Sequence, residues 1–106
     1  MKIGIIISSN DVETCWNALR YANFALGHKD EVKVFFMGKG VEYQQLSTGK
    51  FNTIEQADNF LKSGGKIYAC GMCIKGRGQE GSDMCPISTM RDMYEIVKES
   101  DKIVTF

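Results

Sequence analysis

The sequence has little of several residue types that common functions depend on. It contains one histidine, His28, and one proline, Pro86, in 106 residues. His28 lies in the polar stretch Gly27–Asp30, which predicts a solvated turn between a helix and a strand. With no other histidine in the chain, a cysteine–histidine catalytic pair is not expected.

The chain also lacks net charge and long apolar runs. Thirteen basic and thirteen acidic residues cancel, so no field draws it to nucleic acid or to an anionic membrane. The apolar opening Met1–Ile7 ends at the polar Ser8 and is too short for a signal sequence or a membrane span. We therefore expect a cytoplasmic protein that binds neither nucleic acid nor membrane. Its four cysteines are then expected to be thiols, ligands or redox groups, not a disulfide framework.

Strand and helix signals alternate along the whole chain. Its length is typical of a single domain, and residues 1–106 are predicted to form one. Strands are predicted over Lys2–Ser8, Glu31–Met37, Lys66–Cys70 and Lys102–Phe106. Strands that alternate with helices favour a parallel sheet covered on both faces. The predicted fold class is therefore α/β, a single-domain three-layer α/β/α sandwich with a mainly parallel sheet, related to flavodoxin.

The helices are predicted from capping residues and apolar spacing. The first helix is expected to begin after Asn10 or Asp11 and to stop near Gly27. The other helix signals are a short helix over Val41–Leu46, a capping box at Thr53–Gln56, a second capping box at Thr89–Asp92, and an inward stripe of Met90, Met93, Tyr94 and Val97. The stretch Gly71–Pro86 shows no clear periodicity, and a loop of that length is usually functional, mobile or the place of a short helix.

A ligand site is expected at one edge of this sheet. Ligands of open parallel sheets lie beyond the carboxyl ends of the strands, where three loops of this chain should converge. We predict that the residues binding a substrate or an anion there are Ser8, Ser9, Asn10, Gly38, Gly40, Gly71, Lys75 and Arg77.

Cys70 is the strongest candidate for chemistry, because it stands where the third predicted strand ends. Free backbone N–H groups at that point, followed by the cations Lys75 and Arg77, would lower the pKa of a thiol and make it a nucleophile. Cys73 follows three residues later and could act as a resolving thiol or a second sulfur site. Cys15 falls on the apolar face of the first helix, which predicts a packing role.

Three segments of the chain resemble the DsrE/DsrF-like family, which includes the TusD-type sulfur-relay proteins. They are the turn Phe35–Val41, the segment from Cys70 to Gly78, and the closing stretch Ser100–Phe106. In sulfur-relay members a cysteine at the end of this strand, eight residues before the glycine of an Arg-Gly pair, carries a persulfide. Cys70 matches that cysteine, since Gly78 lies eight residues beyond it. The resemblance further implies a homotrimer or hexamer, with protein partners that donate and accept sulfur.

The residues leave four functions open. The leading hypothesis is persulfide relay at Cys70, with sulfurtransferase activity as its enzymatic form and without a resident cofactor. The second is dithiol–disulfide chemistry at Cys70 and Cys73, although the chain offers no cis-proline strand beside them. The third is a zinc or iron–sulfur site formed by these two cysteines and Cys85, but one pair of cysteines at this spacing is a weak signal, and we expect no metal site. The fourth is a non-enzymatic ligand-binding or assembly subunit of the same fold.

Overall fold

The first strand of the fold is rich in isoleucine, β1 (Lys2–Ile7), and its last five residues are all buried. We describe the chain from a computed structural model that covers all residues, Met1–Phe106. The elements that follow β1 are α1 (Val12–Gly27), β2 (Glu31–Phe36), a 3₁₀ helix (Gly38–Glu42), α2 (Thr53–Lys62), β3 (Lys66–Cys70), α3 (Gly71–Gly76), β4 (Ile87–Ser88), α4 (Met90–Glu99) and β5 (Lys102–Thr105). None of the helices is long and apolar enough to cross a membrane.

The strands form one parallel sheet in the order β4-β3-β2-β1-β5. The chain moves from β1 to β4 in one direction and then returns across the sheet to place β5 beside β1. Because parallel crossovers are right-handed, this reversal puts α4 on the opposite face from α1 and α2. The prediction of an α/β sandwich with a mainly parallel sheet is confirmed.

Two apolar cores cover the two faces of the sheet. Successive side chains of β2 belong to different cores. Val34 and Phe36 pack under α1 and α2, while Phe35 packs under α4. The larger core holds the inner faces of both α1 and α2. The smaller core unites Phe35, Cys70 and Ile96, so the candidate cysteine belongs to the α4 face.

The observed helix caps confirm two of the three cap predictions. Asp11 caps α1 by accepting from the Thr14 N–H at 2.9 Å, and the Thr89–Asp92 capping box begins α4, both as predicted. The prediction for α2 is wrong by one residue, because its cap is Asn52. The Thr53 hydroxyl is instead buried and donates to the Tyr43 carbonyl at 2.7 Å.

Two local predictions are wrong, and one strand was not predicted. The segment Val41–Leu46 is not the predicted helix, since the helical turn begins earlier, at Gly38, in 3₁₀ form and ends at Glu42. The stretch 71–86 begins with the short helix α3, one of the alternatives left open for it, whereas the edge strand β4 directly after it was missed. On α4 the buried residue is Ile96, because it packs over the bare backbone of Gly4. This rotation of the helix leaves much of the predicted inward stripe exposed, namely Met90, Tyr94 and Val97.

Gly40 lies where the 3₁₀ helix crosses the end of β1, and we predict that Gly40→Ala destabilises the fold. A Cβ atom at this position would approach the Ile7 carbonyl oxygen to 2.2 Å, so backbone must move. Crowding of this kind typically costs about 1–3 kcal/mol. Urea unfolding should show a lower midpoint for Gly40→Ala than for Gly49→Ala, whose added Cβ would meet nothing within 4 Å. Equal midpoints for the two variants would contradict the close approach.

Candidate functional site

Two thiols meet at the carboxyl end of β3. Cys70 is the last residue of that strand and the cap of α3, so its neighbour three residues on, Cys73, returns to the same side after one turn. The two Sγ atoms are 2.8 Å apart, and both cysteines are free. The predicted pairing of Cys70 with Cys73 around a first helical turn is therefore present in the structure.

Cys70 borders a surface cavity of about 290 Å³. Only 6% of Cys70 is exposed, since it also packs in the smaller core. The cavity is lined by Cys70, Gly71, Met72, Lys75, Ile87, Ser88, Thr89 and Met90. Three of these residues form an apolar rim in solvent: Met72 is 82% exposed, Met90 56% and Ile87 53%. Sequence reasoning missed five of the eight lining residues, namely Met72, Ile87, Ser88, Thr89 and Met90. Two of these form β4, and a two-residue strand gives no periodic signal.

The predicted lowering of the Cys70 pKa is wrong. Burial raises the pKa of this thiol, and the adjacent Cys73 thiol raises it further. The N–H groups of Cys73 and Met72 act in the opposite direction, as expected at a strand end, but they do not outweigh burial. The burial that raises the pKa and the N–H contacts that lower it have one origin, because the turn that presents the N–H groups also covers the sulfur.

Arg77 points away from Cys70, which removes one of the two expected cations. Its Nε donates to the Glu42 carboxylate at 2.7 Å, and its Nη1 donates to the Cys73 carbonyl oxygen at 3.2 Å. The guanidinium holds the pKa of Glu42 below its ordinary value, with a smaller contribution from Asn10. Through these contacts Glu42, in the 3₁₀ helix after β2, connects Asn10, which follows β1, with Arg77, which follows α3. Glu42 was missed because nothing in the local sequence indicates its partner, 35 residues away.

Cys73 receives a backbone donor from the loop after β2. The Gly38 N–H points at the Cys73 Sγ atom at 3.2 Å. Gly38 has a φ of +55°, a conformation that glycine adopts at no steric cost. An N–H aimed at a sulfur stabilises negative charge there. Gly38 thus contacts the thiol pair through a protein sulfur atom, and its role in binding a substrate or an anion stays a prediction.

The other predicted loop residues have structural contacts. The Ser8 hydroxyl donates to the Phe106 carbonyl at 3.3 Å, and the Ser9 hydroxyl accepts from the Asp11 N–H at 2.9 Å. Gly40 is buried against β1. None of these three residues lines the cavity at Cys70. A role for them in binding a substrate or an anion stays a prediction.

The remaining cysteines are separate from the thiol pair. Cys15 is fully buried and donates to the Ser9 carbonyl at 3.1 Å, in keeping with its expected packing role. Cys85 is buried with its sulfur facing the Val41 carbonyl oxygen at 3.8 Å. Burial raises the pKa of each thiol to about 11. The hypothesis of a metal site built on Cys70, Cys73 and Cys85 is wrong, because no three ligand residues of the chain come together.

The fold and the site define a class of small α/β proteins with a cysteine at the carboxyl edge of a parallel sheet. The model of the DsrE/DsrF-like family matches residues 1–106, and the chain belongs to that family. An uncharacterized protein of Methanocaldococcus jannaschii is 34% identical over 114 residues, covering 100% of both chains. An uncharacterized protein of Methanopyrus kandleri is 34% identical over 100 residues, covering 89% of this chain and 83% of its own.

Solved structures show the same fold. The YchN protein from E. coli has a TM-score of 0.82 at 20% identity, and the match covers 100% of both chains. A conserved protein of unknown function from Bacteroides thetaiotaomicron has a TM-score of 0.78 at 19% identity, with 99% of this chain and 94% of that one covered. These likenesses confirm the three-layer architecture, while membership of the family rests on the sequence match.

Proposed function

We propose that the protein carries sulfane sulfur as a persulfide on Cys70, in a cytoplasmic sulfur relay. The observation that carries this proposal is the placement of Cys70, which lies at the end of β3 and opens into the surface cavity beside exposed Lys75. Cys73 is more exposed than Cys70 but lines none of the surface cavities. The cavity therefore supports Cys70 as the thiol that receives sulfur.

The chemistry at Cys70 is a transfer of one neutral sulfur atom. The Cys70 thiolate attacks the outer sulfur of a donor persulfide, a new S–S bond forms on Cys70, and the donor leaves as a thiolate. No external oxidant or reductant is required, because the sulfane sulfur keeps its oxidation state. The N–H groups of Met72 and Cys73 point at Cys70 and stabilise the charged sulfur that attacks. Transfer to an acceptor thiolate is the same step in reverse.

The apolar rim around the cavity suits delivery of sulfur by another protein. Met72, Ile87 and Met90 are exposed around a nearly buried sulfur, so a donor must cover them as it reaches Cys70. We predict that Met72→Asp slows sulfur transfer from a protein persulfide by about tenfold, the equivalent of roughly 1.4 kcal/mol of docking energy. Loading from a small alkyl persulfide should be unchanged. Rapid-quench mass spectrometry measures both rates, with the distant and exposed Ile54→Asp as the control. Equal slowing with both donors would contradict a docking role.

The proposal is tested by treating the protein with one equivalent of an alkyl persulfide and quenching with an alkylating agent. Fragment ions of the peptide that contains both Cys70 and Cys73 should place the extra sulfur atom on Cys70 within the first part of the reaction. Sulfur found mainly on Cys73, Cys15 or Cys85, or on no cysteine, would overturn the proposal.

A second candidate function, dithiol–disulfide exchange, is favoured by the contact between the two sulfur atoms. A disulfide bond is about 2.0 Å long, so closing the 2.8 Å gap needs little movement of either side chain. In that function a partner disulfide oxidises the pair, and the protein loses two hydrogen atoms without gaining sulfur. Intact mass after equilibration with a glutathione redox buffer measures this reaction separately from sulfur uptake.

The assembly of the protein is also part of the proposal. A homotrimer or hexamer would cover apolar side chains that one chain leaves in solvent, among them Phe24 on α1 and Tyr94 on α4. Sedimentation equilibrium measures the molecular mass directly. A monomer at all concentrations would contradict the expected assembly without affecting the sulfur chemistry.

A further inference from the structure

We infer that Cys73 resolves a persulfide on Cys70 and releases its sulfur as hydrosulfide, which gives the protein a persulfide-reducing activity. This inference rests on the proposed function, because it begins with the Cys70 persulfide. It adds a second fate for the sulfur: when no acceptor takes the outer sulfur atom, the neighbouring thiol expels it. The substrate class is a persulfide, and the products are hydrosulfide and an internal disulfide.

The contact between the sulfur atoms selects this reaction. Cys73 touches the Cys70 Sγ atom at 2.8 Å, and that atom becomes the inner sulfur of the persulfide. The outer sulfur is the added atom, and the cavity at Cys70 offers space for it. Cys73 is therefore held against the inner sulfur. Attack on the inner sulfur forms the Cys70–Cys73 disulfide and breaks the bond to the outer sulfur.

The atoms and electrons of this step balance within the site. The Cys73 thiol loses its proton and attacks as a thiolate, the sulfane sulfur leaves with the electron pair of the broken bond, and protonation gives hydrosulfide. Two cysteine sulfurs are oxidised to a disulfide while one sulfane sulfur is reduced to sulfide. Returning the protein to its starting form requires an external dithiol reductant, which opens the disulfide by thiol–disulfide exchange.

The surroundings of Cys73 suit an attacking sulfur. The Gly38 N–H donates to its Sγ atom at 3.2 Å and so fixes the sulfur from the side of the loop after β2. Arg77 donates to the Cys73 carbonyl oxygen at 3.2 Å and is itself held by Glu42, so the turn that carries Cys73 is fixed from outside. Cys73 thus has a fixed position beside Cys70.

The test compares wild type with Cys73→Ser and Cys73→Ala under single-turnover conditions. Each reduced protein receives one equivalent of an alkyl persulfide, without acceptor or reductant, and hydrosulfide is measured as the protein mass is followed. Wild type should release about one hydrosulfide for each chain loaded and become two hydrogen atoms lighter. Both Cys73 variants should keep the extra sulfur atom on Cys70 and release no hydrosulfide above a no-protein blank. The matched control is Cys85→Ala, which removes a cysteine outside the pair and should behave as wild type.

The outcomes separate the two proposals. If wild type and both Cys73 variants hold the extra sulfur equally long, the resolving role is overturned while persulfide carriage by Cys70 stands. If no variant takes up sulfur and wild type does not either, the proposed function itself fails. Reducing spent wild type with a dithiol, removing the dithiol and adding a second equivalent of the alkyl persulfide should give a second release of hydrosulfide, and failure to give it would overturn the internal disulfide as the product. Circular dichroism of each variant confirms that it is folded.

Discussion

Replacing Cys70 by serine should reduce uptake of sulfane sulfur to background. A serine hydroxyl has nearly the same size as the thiol but ionises far less readily, so it is a weak nucleophile without a partner base. No histidine is available to activate it, because His28 contacts the Phe24 carbonyl in the turn that follows α1. The measurement is the mass gained after brief exposure to one equivalent of an alkyl persulfide, read peptide by peptide.

The controls for this experiment come from the other cysteines. Cys15→Ala and Cys85→Ala each remove a buried thiol that has no contact with Cys70, and both should load as wild type does once folding is verified. The result that would contradict this prediction is sulfur uptake by Cys73 in the Cys70→Ser protein at the wild-type rate. That result would show that Cys73 is the receiving thiol, and it would reverse the order of the two cysteines.

The fold was predictable because its signals are local. A β-branched run marked β1 as a strand buried on both faces, and capping residues at Asp11 and Thr89 marked the starts of α1 and α4. The same local signals located Cys70 at the end of β3. Each of these predictions depended only on neighbours within a few positions of the chain.

The parts that failed depend on contacts between distant segments. The orientation of α4 is set by Gly4, almost a whole chain length away, which makes room for Ile96. The spacing of apolar residues on α4 fits more than one inward stripe, and the predicted stripe is not the one that the structure buries. The partner of Arg77 likewise comes from the 3₁₀ helix, which the sequence had placed too late.

The electrostatic prediction for Cys70 failed for a related reason. The expected N–H groups are present, but the smaller core of Phe35 and Ile96 covers the sulfur, and burial is not a property of the local sequence. A covered thiol resists ionisation even where donors point at it. Protection of this kind also suits a carrier, since a persulfide that is mostly covered is shielded from stray thiols in solution.

The raised pKa of Cys70 predicts a distinct dependence of its reactivity on pH. A thiol reacts as its thiolate, so raising the pKa reduces the reactive fraction at neutral pH relative to an ordinary cysteine. Below the pKa the alkylation rate should climb by about tenfold for each unit of pH. The climb should continue beyond the range of free cysteine, about 8.5. The sign follows from burial: the folded state favours the protonated thiol, and higher pH is needed to remove the proton.

Alkylation with a small haloacetamide, read from fragment ions because Cys70 and Cys73 share a peptide, measures this dependence for each cysteine in one sample. The reference is the same protein in concentrated urea, where burial is lost and Cys70 should titrate as an ordinary cysteine. Folded Cys15 and Cys85 serve as internal controls, since the pKa of each is raised to about 11 and their curves should lie at higher pH than in urea. A folded Cys70 curve that coincides with the urea curve, or lies at lower pH, would contradict the dominance of burial. It would show instead that the N–H groups of Met72 and Cys73 control the charge of this sulfur.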